Sequence, residues 1–369
     1  MVSGALIATA ALWAASPPEV TLRTEGRWIL SHEGREVGPA LWRRGLQTSG
    51  LTSRNGFLIS VGDQRSNFPG HLFVLHLPRS LERRALRLAQ APVPIVPEKR
   101  LQDTIKRRYP MKDNPDFEGI AADPLHPDLY YAVIEMDGPY LVALTWHPGS
   151  PKATLRRIVS LEVPGVEPWR FDTNYRFEGI AVLGPTPDLV IAYERASDVL
   201  PRLLLAAWPP GSESDKITAE VLPVPFDSVP PREGKGLLNA NGLAAVYGKP
   251  SAGGKFPPVR FLLVLARDQE RILVVDPRSW AILKIVSLDL RGPESARMKW
   301  VSPEGIAVDP QGGRVFMISD PDSIRGNFKR LKDREPTGRY AQLVPLLFSV
   351  KLKEVLPSGG RSACTQGGK

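Results

Sequence analysis

Apolar positions along this chain fall into short runs that return at near-constant intervals. Each run holds a few aliphatic or aromatic residues and is bounded by Gly, Pro or an acid, which is the pattern of a β-strand. A glycine-centred stretch, the signature, precedes the first run of every repeat. The signature glycines are separated by 69, 60, 63 and 63 residues, and a fixed period with a shared motif indicates a repeat architecture. They are Gly50, Gly119, Gly179, Gly242 and Gly305.

The five signatures share the glycine and a following aliphatic residue, and they differ in the residue before the glycine, which we call the signature residue. Three copies carry glutamate there, one carries serine and one carries asparagine. The copies are Ser49-Gly50-Leu51, Phe117-Glu118-Gly119-Ile120-Ala121, Phe177-Glu178-Gly179-Ile180-Ala181, Asn241-Gly242-Leu243-Ala244 and Pro303-Glu304-Gly305-Ile306-Ala307. After the next apolar run each repeat has an acid, namely Asp63, Glu135, Glu194, Asp268 and Asp320.

Repeats of about four short strands arranged around a ring are typical of a β-propeller. The sequence therefore predicts an all-β protein in which residues 17–356 form one propeller of five blades, each with about four antiparallel strands. Six blades is the alternative, if the amino-terminal segment builds a blade of its own. We expect Val20–Ile29 to close the ring by pairing with the last repeat, and Lys99–Asp116 to be a polar loop.

The two ends of the chain differ from the repeats in composition. Residues 1–16 are small and apolar, and they resemble the core and exit of a signal peptide. The alternatives are a membrane anchor and a buried strand. A signal peptide or an anchor predicts a periplasmic or secreted protein, and contact with a membrane is expected only if the segment is an anchor. Residues 357–369 have four glycines and no apolar run, so we expect a disordered tail. Cys364 is the single cysteine, which excludes a disulfide framework.

Charge narrows the class of partner. The net charge of +9 permits an anionic partner. The basic residues are not interleaved with aromatic ones, as single-strand binding platforms require, so nucleic-acid binding is not expected. A small anionic substrate or a protein ligand is the expected partner.

The repeat also predicts where its polar residues meet. In an antiparallel hairpin the start of the first strand lies beside the end of the second. The signature residue opens the first strand and the acid closes the second, so both should lie on one face of the propeller, with the signature residues nearest the central channel. The expected neighbours are Ser49 and Asp63, Glu118 and Glu135, Glu178 and Glu194, Asn241 and Asp268, and Glu304 and Asp320.

Eight of those ten residues are carboxylates, and carboxylates that converge either raise one another's pKa or bind a cation. Ca²⁺ takes six to eight oxygen ligands, whereas the absence of imidazole argues against zinc. The predicted metal ligands are Glu118, Glu178, Asn241 and Glu304, with Asp63, Glu135, Glu194, Asp268 and Asp320 as an acidic ring on the same face. Alternatively, the signature side chains accept hydrogen bonds from the neighbouring blade, and Arg195 and Arg267 neutralise the ring as ordinary ion pairs.

The ordered set of five signatures resembles the phytase-like propeller family ("esterase-like activity of phytase") and is also similar to the SdiA-regulated propellers. Ile191–Arg195, Val264–Asp268 and Ile318–Asp320 match the strand ends of those families, and the resemblance covers residues 45–350. It implies an exported bacterial protein that binds Ca²⁺. The chain departs from the pattern at Ser49 and Asn241, where carboxylates are absent.

Two hypotheses of function follow. The first is a metal-dependent hydrolase of phosphate or carboxylic esters, in which Glu118, Glu178 or Glu304 acts as the base. The second is a non-catalytic propeller that binds a ligand or protein on the same face, with a structural cation. No residue is assigned as catalytic, and the chain has neither a Gly-x-Ser-x-Gly nor a His-Glu-x-x-His motif. No basic residue falls at the repeat position of the inner ring, which favours the second hypothesis.

Overall fold

The structure is a computed structural model in which most of the described residues form β-strands. It describes residues 17–30, 46–63, 70–78, 85–108, 115–135, 139–163, 177–185, 188–194, 200–208, 214–251, 253–292, 301–309, 311, 313–320 and 345–358. The predicted signal peptide or anchor at residues 1–16, nearly all of the predicted tail at 357–369, and Arg195 lie outside the described residues.

The first set of strands follows two strands from the amino-terminal segment, β1 (Glu19–Glu25) and β2 (Arg27–Leu30). Its order from the centre outward is β3 (Thr48–Arg54), β4 (Phe57–Gly62), β5 (His71–His76) and β7 (Val93–Pro97). All three pairings in this set are antiparallel. The short β6 (Ala85–Arg87) leaves the set and pairs with β2 instead.

The second and third sets repeat this arrangement with four antiparallel strands each. The second contains β8 (Phe117–Ala122), β9 (Leu129–Glu135), β10 (Pro139–Thr145) and β11 (Ala153–Glu162). The third contains β12 (Phe177–Val182), β13 (Asp188–Tyr193), β14 (Arg202–Ala207) and β15 (Lys216–Leu222). Short parallel pairings of β11 with β7 and β15 join the first three sets into one sheet.

The last two sets include strands from the amino-terminal segment. The fourth contains β16 (Gly242–Tyr247), β17 (Val259–Ala266), β18 (Arg271–Val275) and β19 (Ile282–Arg291), and the fifth contains β20 (Pro303–Asp309), β21 (Arg314–Ser319) and β22 (Leu346–Lys351). Strand β2 pairs with β22 as the fourth strand of the fifth set. The predicted closure of the ring is therefore present, but only part of Val20–Ile29 performs it, because β1 adds to β19 of the fourth set in parallel.

The inner strands β3, β8, β12, β16 and β20 contact one another in that order, and β20 contacts β3 again. The buried apolar residues follow the same circle, because each cluster that the described residues form lies between two neighbouring sets, the last between the fifth and the first. This closed arrangement confirms the predicted all-β propeller fold. The number of blades stays a prediction, since residues such as 31–45 lie outside the described residues.

Helices are short in the described residues. One helix, α1, spans Lys99–Arg108, so the prediction of a polar loop over Lys99–Asp116 was wrong. Ile105 is buried against the first and second sets, and Leu101, one turn earlier, packs beside it. Another helix, α2, spans Leu352–Val355, and a 3₁₀ turn spans Phe226–Ser228. Neither α-helix has the length and hydropathy that crossing a membrane requires.

Candidate functional site at the acidic mouth

A β-bulge places the signature glutamates at the start of three inner strands. In the second set Phe117 pairs with Ile134 while Gly119 pairs with Val133, so that Glu118 is an extra residue without a partner in the ladder. Glu178 and Glu304 are extra residues in the same way. A bulge redirects the inserted side chain away from the sheet, and it explains how a regular strand can begin with a carboxylate.

The glycine after each signature residue lies against the backbone of the next inner strand. A Cβ atom on Gly50 would stand 2.6 Å from the backbone nitrogen of Ile120 and 2.7 Å from the Cα of Gly119. Real Cβ atoms do not approach backbone so closely, so only glycine fits. At each of the other four signature glycines a Cβ atom would also come too close to the backbone of the next inner strand. The pairs in contact are Gly119 with Glu178, Gly179 with Leu243, Gly242 with Glu304, and Gly305 with Gly50.

In three sets the acid that closes the second strand is hydrogen-bonded to the backbone just before the signature residue. The backbone nitrogen of Glu135 donates to the carbonyl of Asp116, two residues before Glu118. In the first and fifth sets Asp63 donates in the same way to Gln47, and Asp320 to Ser302. The face that contains these residues and the signature glutamates is called the acidic mouth below.

In the fourth set the register differs from the prediction by one residue. In the second set the acid Glu135 lies two residues after Val133, the partner of the signature glycine. In the fourth set Gly242 pairs with Leu265, so that the equivalent position is Arg267 and not Asp268. A basic residue therefore occupies the position at which the acid of this repeat was predicted, and Asp268 is the residue after it.

Arg267 joins two carboxylates of the acidic mouth. Its Nη1 lies 2.5 Å from Oε1 of Glu304, and its Nη2 lies 2.7 Å from Oε1 of Glu194. The Glu194 side chain is 1% exposed and that of Glu304 is 11% exposed, so both charges are largely removed from water. The predicted alternative of ion pairing at Arg267 is present, and it reaches the inner ring as well as the outer one.

Two asparagines complete the surroundings of Glu194. Nδ2 of Asn239 and Nδ2 of Asn241 donate to Oε1 of Glu194 at 3.1 and 2.9 Å. Oδ1 of Asn241 accepts from the backbone nitrogen of Arg267 at 3.3 Å. Both ends of the Asn241 amide therefore contact protein groups, which leaves this predicted metal ligand less available to a cation. Oε2 of Glu194 has no hydrogen-bond partner among the described residues although it is buried.

The other side of the mouth is a group of carboxylates. Asp63, Asp116 and Glu118 each offer one oxygen within 4.8 Å of the others, and such a group could hold a metal ion. Ser49 stands beside them, and its Oγ donates to Oε2 of Glu118 at 2.8 Å. Asp116 is not among the ligands predicted from the sequence, although its position two residues before a signature glutamate was a usable signal.

The signature glutamates have raised pKa values, and Glu178 shares an electrostatic interaction with each of the other two. Burial raises the pKa of Glu118 well above its ordinary value, and the charges of Glu178, Asp116 and Asp63 raise it further. Burial and Glu194 raise the pKa of Glu178 in the same way, and burial and Asp320 raise that of Glu304, with Arg267 opposing both shifts. Burial would lower the pKa of Arg267, but Glu194, Glu304 and Glu178 outweigh it, so Arg267 stays charged.

We expect the pKa of Glu178 to make stability depend on pH. Between its ordinary value of 4.5 and its raised value, the folded state holds a proton that the unfolded state has released. The free energy of unfolding of the metal-free wild type should therefore fall as the pH rises through this range, by about 1.4 kcal/mol for each pH unit. Urea denaturation of wild type and Glu178→Gln over this range measures the effect as a difference between the two proteins. A difference that does not change with pH would contradict the raised pKa.

Comparisons with known proteins place the chain in no family. No protein-family model matches it, and no curated protein matches it significantly. Solved structures match at low identity. The glutaminyl cyclase of Myxococcus xanthus is 16% identical, with 90% of this chain and 98% of that chain covered and a TM-score of 0.43. The PQQ-bound aldose sugar dehydrogenase of Streptomyces coelicolor is 10% identical, with 82% of this chain and 94% of that chain covered and a TM-score of 0.35. Apo AztD of Citrobacter koseri is 14% identical, with 74% of this chain and 66% of that chain covered and a TM-score of 0.30. Since each TM-score is below 0.5, none of these proteins indicates what this chain binds or catalyses.

Proposed function

We propose that this protein is an exported, phytase-like propeller hydrolase that uses a calcium ion at the acidic mouth to cleave esters of phosphate or of a carboxylic acid. The observation that supports it is the group formed by Asp63, Asp116 and Glu118, whose oxygens converge beside glutamates with raised pKa values. The small-residue apolar stretch at residues 1–16 supports export to the periplasm or the medium. The expected substrate is a small anion.

The donor atoms of the mouth suit Ca²⁺. The candidate ligand atoms of Asp63, Asp116 and Glu118 are carboxylate oxygens. Ca²⁺ binds carboxylate, carbonyl and water oxygens in flexible numbers. Asp63, Asp116 and Glu118 would supply three ligands, and a cation there would relieve the repulsion that, in addition to burial, raises the pKa of Glu118. The buried Oε2 of Glu194, which lacks a hydrogen-bond partner among the described residues, is a second place where positive charge or a donor would be favourable. Of the four ligands predicted from sequence, this proposal keeps Glu118, because Glu304 and Asn241 are engaged with Arg267 and Glu194.

The residues around Asp63, Asp116 and Glu118 would have different roles in hydrolysis. When bound, a divalent cation offsets the repulsion between the mouth and an anionic substrate and polarises the scissile ester. Glu178 is 6% exposed, and its raised pKa suits a group that exchanges a proton with water. Arg267 fixes Glu194 and Glu304 and so acts as a positioning residue.

Calcium binding and turnover test the proposal separately. Adding Ca²⁺ to chelator-treated protein should stabilise the fold, by about 2.7 kcal/mol at one hundred times the dissociation constant. Asp116→Asn should remove most of this stabilisation, whereas Asp227→Asn, which changes an exposed acid, should retain it. A panel of chromogenic phosphate and carboxylate esters should show calcium-dependent turnover that Glu178→Gln lowers by about 10²–10⁴-fold while calcium still binds.

A non-catalytic propeller with a structural cation is the second candidate. It is supported by Arg267, whose guanidinium pairs with two carboxylates of the mouth and so does not present a free charge to a leaving group. Stabilisation by calcium without turnover on any ester would favour this candidate. A melting temperature that neither Ca²⁺ nor chelator changes would exclude both.

A further inference from the structure

A cavity of about 410 Å³ lies inside the ring of inner strands, away from the acidic mouth. Its wall is made of the residues that follow the signature glycine on every inner strand, and these lie further along the strands than the signature residues do. Its outer rim includes Pro124, Tyr247 and Lys255. Ligand cavities of this size are ordinary for small molecules, and they are lined mainly by apolar groups with a few polar ones.

The wall is aliphatic, and its hydroxyl groups already have partners. Oγ1 of Thr52 accepts from the backbone nitrogen of Ala122 at 3.0 Å. The Ser53 hydroxyl donates to the carbonyl of Val308, and the Tyr247 hydroxyl donates to the carbonyl of Val182. Most of the remaining lining residues are Leu, Ile, Val and Ala of the five inner strands. The interior of the cavity therefore suits a hydrocarbon chain.

Arg54 stands at one end of this wall without a carboxylate partner among the described residues. Its Nη1 makes a long contact of 3.4 Å to the carbonyl of Pro124. Its Nε is buried and has no hydrogen-bond partner among the residues that the structure describes. A partly buried guanidinium with unused donors favours an anion, and its fork fits a carboxylate or phosphate group.

Arg54 forms no ion pair with a carboxylate among the described residues, although Asp123 and the exposed Asp128 lie in its surroundings. Asp123 and Arg54 both lie near the hydroxyl of Tyr247. Burial raises the pKa of this hydroxyl, Asp123 raises it further, and Arg54 lowers it. The Asp123 carboxylate, however, is used within its own turn, where Oδ1 accepts from the backbone nitrogens of Leu125 and His126 and Oδ2 accepts from the hydroxyl of Tyr131. Lys255 is exposed on the rim and adds a second positive charge.

We propose that this cavity binds a small amphiphilic anion, with its charged head group on Arg54 and a medium-length aliphatic chain between the inner strands. Lys255 attracts the head group from the rim and contributes less than Arg54, because it is exposed to water. Carboxylate and phosphate head groups share the required chemistry. The site is separate from the acidic mouth, and it does not depend on calcium or on hydrolysis.

Calorimetric titration of the full chain with octanoate, octyl phosphate and octanol tests the proposal. At least one of the two anions should bind at least tenfold more tightly than octanol, because octanol lacks the charge. Arg54→Gln should weaken binding of that anion about tenfold or more, Arg54→Lys should retain part of the affinity, and Arg278→Gln, which changes an exposed arginine elsewhere, should have no effect. Ala245→Leu should also weaken binding, since Ala245 is part of the wall and the larger side chain narrows the channel.

Either of two results would overturn the proposal. One is that neither anion binds, or that octanol binds as tightly as both, which the wild type alone can show. The other is an unchanged affinity in Arg54→Gln. If that variant does not fold, the comparison with octanol and the Arg54→Lys titration still decide the outcome. Since the titrations are made in chelator, failure of the calcium proposal does not affect them.

Discussion

Replacing Arg267 with glutamine should lower the free energy of unfolding by about 3–5 kcal/mol. The substitution leaves Glu194, which is 1% exposed, and Glu304, which is 11% exposed, without their positive partner. Removing one member of a buried ion pair costs far more than the pair contributes, because the remaining charge stays desolvated. Urea denaturation at neutral pH in chelator, followed by fluorescence, gives the difference from wild type.

Two further variants separate this cause from a general effect of losing an arginine. Arg278→Gln removes an exposed arginine and should change the free energy of unfolding by less than about 0.5 kcal/mol. Adding Glu194→Gln to Arg267→Gln should recover part of the loss, because the stranded charge is removed. If the double variant is less stable than Arg267→Gln by the full cost of a second independent substitution, the ion pair is not the reason for the first loss.

Replacing Gly50 with alanine should cost about 3 kcal/mol or prevent the ring from closing. The new Cβ atom would lie 2.6–2.8 Å from three backbone atoms of the neighbouring inner strand, contributed by Glu118, Gly119 and Ile120. Backbone in a packed sheet cannot move aside as a flexible side chain can, so the two inner strands must separate. Thermal and urea denaturation of the variant measure the loss.

Gly248→Ala is the matched control for this prediction. Its Cβ atom would meet Cδ and Cγ of the Arg260 side chain at 3.2 Å, and that side chain can move. We therefore expect a change of less than about 1 kcal/mol. Equal losses in Gly50→Ala and Gly248→Ala would show that the inner strands do not depend on the close approach at the signature glycines.

The fold could be predicted because the repeat combines two constraints at each signature. The glycine marks the place where two inner strands touch, and the apolar runs after it have the length and composition of strands. The pairing of Glu118 with Glu135 and of Glu178 with Glu194 followed from hairpin geometry alone. Burial is the largest cause of the raised pKa values of Glu118, Glu178 and Glu304, and neighbouring carboxylates add to it.

The position of Arg267, the inclusion of Asp116 in the mouth and the helix α1 could not be predicted from the repeat pattern. Strand β17 ends at Ala266, one residue after the partner of Gly242, so that Arg267 takes the position where an acid was expected. Asp116 joins the mouth through the backbone that leads into β8, outside the signature itself. The apolar pair Leu101 and Ile105, four residues apart, was the signal for α1, but the basic residues around it resembled a loop.

The pairing of β2 with β22 bears on the order in which the protein can be completed. Strand β2 is synthesised well before its partner β22, because Trp28 pairs with Leu346. The outer strand of the fifth set therefore waits for the rest of that set, and contacts between such distant segments form slowly. A nascent chain should expose the edges of β1 and β2 that pair with β19 and β22 until those strands have been made, which makes β1 and β2 the expected sites of chaperone binding.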